Sequence, residues 1–268
     1  MNTRFLLLAA LVTLLASPKL SAQLSFGFSH EVGVITGPVA FQSDYGLRND
    51  FDTNRGNVGI GVGIVHYINF SYRADCNCYT RDTYFNDHFK IRNEIDWHRT
   101  KLEHLGELAE VDSDQGRDLR DHDGVANVFE IGTQLEYFPL SIREFTATLY
   151  SFAPYVSLGA HFVSFNPEAT SSQGPLGTPE TTFDDFLIGD GRLGGIDDSS
   201  GTTFAITFSA GTRYKLSPLS DLLLDLRWHY YDSNWVDGLN PDPEFYPPNK
   251  YNDWIFWINV GYIYYLDF

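Results

Sequence analysis

The sequence predicts an all-β fold: an eight-stranded antiparallel transmembrane β-barrel with a filled, polar lumen. Of the 268 residues, 43% are hydrophobic and 16% aromatic, which provides enough apolar material for one folded domain. Eight segments alternate apolar and polar residues with the strand period of two. Their polar faces carry charges of both signs and their apolar faces end in Tyr, Trp and Phe, as in a membrane barrel with aromatic girdles. A soluble β-sandwich also alternates, but these last two features favour the barrel.

The first 22 residues are expected to be a cleavable signal peptide, and residues 23–268 the barrel domain. Arg4 supplies a positive charge, residues 5–16 form an apolar stretch of twelve, and Ala22 offers a small residue before the cut. An uncleaved membrane anchor is the alternative, but a membrane-spanning helix needs about 20 apolar residues. The N-terminus therefore predicts export from the cytoplasm.

The first four segments place their apolar residues at alternate positions. The second has glycine at the intervening positions Gly59, Gly61 and Gly63, and the third, whose apolar spacing also suits a helix, keeps odd parity throughout. The residues expected to face outward are Val32 and Val34; Val58, Ile60, Val62 and Ile64; Phe89, Ile91, Ile95 and Trp97; and Phe129, Ile131, Leu135 and Tyr137.

The last four segments repeat the pattern, with charged or polar residues between the apolar ones. The residues expected to face outward are Phe152, Val156, Leu158 and Phe162; Phe204, Ile206, Phe208 and Tyr214; Leu222, Leu224, Leu226 and Trp228; and Trp254, Phe256, Ile258, Val260, Tyr262 and Tyr264.

The connections between segments alternate in length. Residues 37–56, 107–123, 166–200 and 235–251 are long and rich in Gly, Pro, Asp and Asn, whereas 140–148 and 217–221 are short. If both ends of the chain lie in the periplasm, the long connections face the outside. They hold 14 more acidic than basic residues, within a chain of formal net charge −17. This charge argues against nucleic acid and anionic lipid headgroups as partners.

Charged residues on the inner faces predict a closed lumen. Eight strands enclose a space just wide enough for side chains to fill, so we expect no open pore. A charge buried there must be paired, because an isolated one costs several kcal/mol. The expected members of this ion-pair network are Glu31, Arg92, Glu94, Glu130, Glu136, Arg213, Asp225, Arg227 and His229.

Two groups are weak candidates for chemistry. His229 and Ser233 resemble the His and Ser that barrel lipid A deacylases place on a late strand, but their parity turns them towards the lumen and no oxyanion donor is evident. Asp232, Asn234 and Asp237 look like part of a calcium loop, but Gly238 stands one place late and the bidentate Glu is absent. A hydrogen-bonded interior cluster and solvated acidic loops are the simpler interpretations, and we predict neither cofactor nor metal.

The sequence also makes predictions for two cysteines and for the last residue. Cys76 and Cys78, in the longer inner turn, are a candidate disulfide, although residues at i and i+2 close only a strained ring. Zinc would need further ligands at suitable spacing. The last residue, Phe268, resembles the terminal aromatic that serves as an assembly signal in bacterial outer-membrane barrels.

Several short motifs occur in one order along the chain. They include Leu135-Glu-Tyr-Phe-Pro-Leu140, Ala153-Pro-Tyr-Val-Ser-Leu-Gly-Ala160, Phe165-Asn-Pro167, Pro175-Leu-Gly-Thr178 and the loop 232–241. Together they resemble small outer-membrane barrels of bacteria with the type IX secretion system. The barrel component of that machinery is similar in its Asn-Pro after strand five, its Pro-Leu-Gly-Thr loop and its acidic loop after strand seven. The usual Glu-Gly after that loop is Pro179-Glu180 here, so an unassigned sister family is the alternative.

This resemblance implies a non-enzymatic, structural or accessory role in a type IX secretion or gliding complex of the cell envelope. The expected location is the outer membrane, with its lipid and subunits of such a complex as partners. Two other functions stay open: a barrel enzyme that modifies outer-leaflet lipid, and a surface-binding barrel that uses its acidic loops, with or without calcium.

Overall fold

Eight long antiparallel strands form a closed barrel, which confirms the predicted fold. The computed structural model describes residues 28–47, 51–70, 84–247 and 249–266. The strands are β1 (Ser29–Gln42), β2 (Val58–Asn69), β3 (Phe89–Glu103), β4 (His122–Tyr137), β5 (Phe152–Phe165), β6 (Gly201–Ser217), β7 (Ser220–Tyr231) and β8 (Trp254–Leu266). Each strand pairs with the next in the chain, and β8 pairs with β1 from His30↔Leu266 to Gln42↔Trp254. This last pairing closes the barrel and leaves no free edge between its strands.

Short elements lie in the connections. The helices are α1 (Phe51–Asn54), α2 (Tyr84–His88), α3 (Glu107–Glu110), α4 (Asp114–Arg120) and α5 (Ile142–Thr146), with a 3-10 turn at Asp184–Phe186. A short strand, Glu168–Ser171, pairs with the start of β4, and Ile188–Gly189 pairs with Arg192–Leu193. None of the helices in the described residues is both long and apolar enough to cross a membrane.

The alternation places the two faces of every strand as the sequence predicts. Outward residues such as Ile64, Leu158 and Ile206 keep 61%, 62% and 62% of their surface exposed, while the adjacent Val65, Ser157 and Thr207 are buried. These outward apolar side chains form a continuous belt around the barrel. The lumen also contains apolar residues that the prediction did not include, among them Ile35, Val39, Val65, Trp257 and Ile263.

The predicted start of the first long connection is wrong by six residues, because β1 continues to Gln42. Gly37 and Pro38 suggest a turn from sequence alone. In the barrel, β1 pairs continuously with β2 through both residues, and only its pairing with β8 is interrupted between Thr36↔Val260 and Val39↔Trp257. Proline is tolerated here because its missing N–H removes a hydrogen bond on one side only.

The long connections after β1, β3, β5 and β7 lie together at one end of the barrel, opposite the start of β1 and the end of β8. They fold into a cap with apolar residues of its own, since Tyr45, Phe186, Val236, Leu239 and Tyr246 are all buried. The 3-10 turn is part of this core, because the Phe186 ring packs edge-on against Tyr246 at 5.3 Å. The acidic loops are therefore structured around a small apolar centre.

Candidate functional site

The lumen holds the largest cluster of functional groups in the described structure. Alternate positions of β1, β3, β4, β6 and β7 point inward, and strand register decides which of them meet across the barrel. All nine residues of the predicted ion-pair network lie there with no more than 2% of their surface exposed: Glu31, Arg92, Glu94, Glu130, Glu136, Arg213, Asp225, Arg227 and His229.

At the end of the lumen near the start of β1 and the end of β8, Glu31 is the centre of the network. One carboxylate oxygen accepts a hydrogen bond from Lys90 Nζ at 2.5 Å, and the other accepts a hydrogen bond from Arg213 Nη1. The Arg213 guanidinium also lies 3.5 Å from Glu136 and stacks on the Tyr67 ring at 4.1 Å from its centroid. One acid is thus shared between two cations that come from different strands.

A second pair closes the same end. Lys215 Nζ lies 2.9 Å from Asp221 Oδ1, and the Tyr265 hydroxyl donates to Asp221 Oδ2 at 2.6 Å. Arg213 Nη1 reaches the same carboxylate at 3.7 Å, which connects this pair to Glu31.

In the middle of the lumen two arginines alternate with carboxylates. Arg92 lies 3.3 Å from Glu94, 3.0 Å from Glu136 and 3.2 Å from Asp225. Arg227 contacts Asp225 at 2.7 Å, Glu94 at 3.0 Å and Asp96 at 3.3 Å. Because Glu94 and Asp225 each contact both arginines, the ion pairs form one connected network.

Histidines surround the outermost acid of the lumen. Glu130 Oε2 lies 2.7 Å from both His161 Nδ1 and His229 Nδ1, and Glu130 Oε1 accepts from the Tyr231 hydroxyl at 2.9 Å. His98 Nε2 is 3.7 Å from Glu130 Oε1. His161 Nε2 lies 2.8 Å from Glu94 Oε1, which joins this cluster to the arginines below it.

Sequence reasoning missed eight members of the network: Lys90, Asp96, His98, His161, Lys215, Asp221, Tyr231 and Tyr265. Their parity placed most of them on a polar face, and this was the available signal. The contacts themselves depend on pairs as far apart in sequence as Glu31 and Arg213, which only the register of the closed barrel brings together.

The structure does not place His229 and Ser233 in a catalytic arrangement. His229 is fully buried against Glu130, whereas Ser233 follows the end of β7 and its hydroxyl accepts from the Trp235 backbone N–H at 3.1 Å. In their described contacts, each side chain is thus bonded to a different group.

The side chains of the three candidate calcium ligands do not lie together around one point. Asp232 is exposed, Asn234 donates to Asn240 at 3.1 Å, and Asp237 is buried. Asp237 instead accepts from the backbone N–H of Asp44 at 3.0 Å, and its carboxylate lies close to those of Asp44 and Asp253. This buried group of acids anchors the loops that follow β1 and β7 to one another.

The cap contains a cavity of about 270 Å³. It lies between the connections after β1 and β3, with Tyr45, Thr53, His104 and Leu119 in its wall. His104 stacks on Tyr45 with ring centroids 4.6 Å apart, and burial lowers the pKa of its imidazole well below the ordinary value. The wall of this cavity therefore favours a neutral His104.

Some of the sequence expectations fall outside the described residues. These are the signal peptide of residues 1–22, the Cys76 and Cys78 pair, and the terminal Phe268.

Comparison with known proteins identifies similar barrels but no family. No protein-family model and no curated protein sequence matches the chain. A major outer membrane protein of Thermus thermophilus superposes with a TM-score of 0.45 and 12% identity, covering 88% of this chain and 99% of that one. Neisserial surface protein A gives 0.43 and 14% identity, over 89% and 96% of the two chains. OprG of Pseudomonas aeruginosa gives 0.38 and 14%, over 88% and 95%.

Proposed function

We propose that this protein is a closed, non-conducting outer-membrane barrel with a structural or accessory role in an envelope complex of the type IX secretion or gliding type. One observation carries the proposal. The barrel exposes a continuous apolar belt while paired charges fill its lumen. This is the reverse of a soluble protein, in which the apolar face is buried and the charges are outside.

The apolar belt supports a membrane location. Its residues are about half exposed on every strand, including Val34, Phe129, Leu158, Phe204 and Val260. A contiguous apolar surface of this extent makes a soluble protein associate, whereas bilayer hydrocarbon covers it without exposing it to water. Export through the expected signal peptide would deliver such a barrel to the outer membrane.

The filled lumen supports the absence of conduction. Arg92, Arg213 and Arg227 extend from β3, β6 and β7 into the lumen and are completely buried. Opening a channel would break several buried ion pairs at once. Each broken pair would leave a buried charge without its partner, which is costly in free energy. Purified protein in planar bilayers should show no stable conductance steps, in contrast to a porin under the same conditions.

The accessory role is supported by the sequence resemblance and by the folded cap. A rigid barrel with structured loops can dock other subunits without chemistry of its own. Crosslinking in cells followed by pull-down should recover a subunit of an envelope secretion or gliding complex. Recovery of lipid and general outer-membrane porins alone would refute this role while leaving the membrane location intact.

The absence of enzymatic activity is part of the proposal and has its own test. Lipid A from cells that carry the native barrel, His229→Gln or Ser233→Ala should give identical mass spectra. A change in acylation that depends on either residue would favour the lipid-modifying enzyme.

A surface-binding function is the second candidate, and the cavity in the cap favours it. The cavity is lined by residues of the connections after β1 and β3, at the end of the barrel where the acidic loops lie. Calorimetry with calcium on the folded barrel tests whether the acidic loops bind this ion. No heat at millimolar calcium would dismiss calcium as the ligand.

A further inference from the structure

We propose that the outer part of the lumen is a binding site for one divalent transition-metal ion, with zinc the best match, held by His98, His229 and Glu130. The three side chains come from β3, β7 and β4 and are all buried. One ligand atom from each lies within 4.8 Å of the others, so a single ion can contact all three. No step of the proposed function uses this cluster as a metal site.

Glu130 differs from the other acids of the lumen in its ion-pair partners. Glu31, Glu94, Asp96, Glu136, Asp221 and Asp225 each contact at least one lysine or arginine. Among the described residues, the ion pairs of Glu130 are made with histidines only. Its negative charge is therefore not balanced by a permanent cation.

The balance of acidic and basic residues in the lumen also favours a bound cation. In the described strands, seven buried carboxylates face five lysines and arginines: Glu31, Glu94, Asp96, Glu130, Glu136, Asp221 and Asp225 against Lys90, Arg92, Arg213, Lys215 and Arg227. The lumen thus has an excess of two negative charges before its histidines are counted. His161 has a carboxylate oxygen within 2.8 Å of each ring nitrogen, so it needs a proton on both and supplies one positive charge. One negative charge then remains, and because an uncompensated buried charge is costly, a metal cation beside Glu130 would offset it.

Unsatisfied imidazole nitrogens provide the independent observation. Neither ring nitrogen of His98, nor Nε2 of His229, has a hydrogen-bond partner within the described part of the chain. Buried polar atoms are almost always bonded, so each exception needs an explanation. A neutral imidazole nitrogen beside a carboxylate is a good zinc ligand.

The geometry suits a tetrahedral ion. Ligands at the usual zinc distances of about 2.0–2.1 Å lie roughly 3.3 Å from one another. His229 Nδ1 lies 2.7 Å from Glu130 Oε2 and His98 Nε2 lies 3.7 Å from Glu130 Oε1, so the two histidines approach different oxygens of the carboxylate, at distances on either side of that value. Small side-chain movements would therefore form the site. Two nitrogens and one carboxylate also favour zinc over calcium or magnesium, which prefer oxygen ligands throughout.

Other residues hold the ligands in place. His161 contacts Glu130 through Nδ1 and Glu94 through Nε2, so both of its nitrogens face carboxylates and it orients Glu130. Tyr231 bonds the other oxygen of Glu130. The Trp257 ring packs edge-on against His98, with centroids 4.6 Å apart. Such outer contacts are typical of metal sites, where they fix the ligand orientation.

The test uses the full barrel, purified in detergent, stripped with a chelator and reloaded with Zn²⁺ alone. Bound zinc is counted by mass spectrometry of the metal after gel filtration, and its ligands are identified by zinc X-ray absorption. We expect one zinc per chain, with two imidazoles and oxygen as ligands. The variants His98→Gln and His229→Gln should lose this zinc. His161→Gln should retain it with affinity weakened about 10- to 100-fold, as expected of an orienting residue.

The matched control is His66→Gln, which removes one partner of a close histidine pair outside the lumen. His30 Nδ1 and His66 Nε2 are 3.1 Å apart on the outer side of β1 and β2 and are partly exposed. The control should keep the wild-type zinc content. Loss of zinc in this variant, or its retention in both His98→Gln and His229→Gln, would overturn the proposal.

Folding of each variant is checked by the temperature-dependent shift of its band on a denaturing gel. If the lumen variants do not fold, the zinc X-ray absorption spectrum of the wild-type barrel tests the site instead. A spectrum without two imidazoles, or a wild-type barrel that binds no zinc, would also overturn the site.

Discussion

Arg227 provides the sharpest test of the lumen network. It contacts three carboxylates, but they do not depend on it equally. Glu94 and Asp225 also contact Arg92, at 3.3 and 3.2 Å, whereas Arg227 is the only ion-pair partner of Asp96 in the described structure. Replacing Arg227 with methionine should therefore leave one buried carboxylate, Asp96, without a cation.

The expected loss in the free energy of unfolding is about 3–5 kcal/mol, the usual effect of removing one partner from a buried ion pair. Adding Asp96→Asn to Arg227→Met removes the orphaned charge. The double variant should then be more stable than Arg227→Met alone, with a coupling energy of about 1–3 kcal/mol between the two positions. Methionine retains much of the packing of the arginine against the Trp257 ring.

Reversible urea unfolding in phospholipid vesicles, followed by tryptophan fluorescence and the gel shift, measures these differences. The control is Arg55→Met, which removes an exposed cation 3.9 Å from an exposed Asp52 and should change the stability by less than about 0.5 kcal/mol. The reasoning is refuted if Arg227→Met costs no more than the control. A double variant less stable than Arg227→Met would refute the assignment to Asp96.

Three further predictions concern the belt, the lumen glycines and the cap. Leu224→Arg in the middle of the outward face of β7 should cost about 2–4 kcal/mol in vesicles, and Leu149→Arg in an exposed turn should cost little; equal effects would argue against lipid contact. A Cβ on Gly61 would lie 2.7 Å from the Trp257 ring, so Gly61→Val should cost about 1–3 kcal/mol by the same unfolding assay. Burial lowers the pKa of His104, so the folded cap binds fewer protons than the unfolded loop and loses stability as pH falls below the ordinary value of 6.5. Hydrogen exchange of the cap should therefore accelerate on acidification, and an unchanged response in His104→Gln would contradict this cause.

Strand alternation allowed the barrel and its two faces to be predicted from the sequence. The period of two fixes parity, and parity alone decides whether Leu224 or Asp225 faces inward. The exposed fractions agree, with 46% for Leu224 and 0% for Asp225. No knowledge of the partner strands is needed for this step.

The limits of the prediction also have physical causes. The stagger of the strands around the closed barrel determines which charged side chains contact one another. It brings Arg213 and Glu31 together, although they are far apart in sequence. The turn signal of Gly37 and Pro38 was overridden because β2 continues to pair with that part of β1. The cap was predicted as solvated loops, since its apolar residues, such as Tyr45 and Phe186, are isolated in sequence and come together only in the fold.

Spin labels along β6 test the central claim most directly, after Cys76 and Cys78 have been replaced with serine. Labels at Ile206 and Phe208 should collide readily with oxygen dissolved in the bilayer and hardly with a water-soluble nickel reagent. Labels at Thr207 and Ser209, which are fully buried, should be inaccessible to both. Access of the nickel reagent to the outward positions would show that lipid does not cover the belt, and access to the inward positions would show an open, water-filled pore.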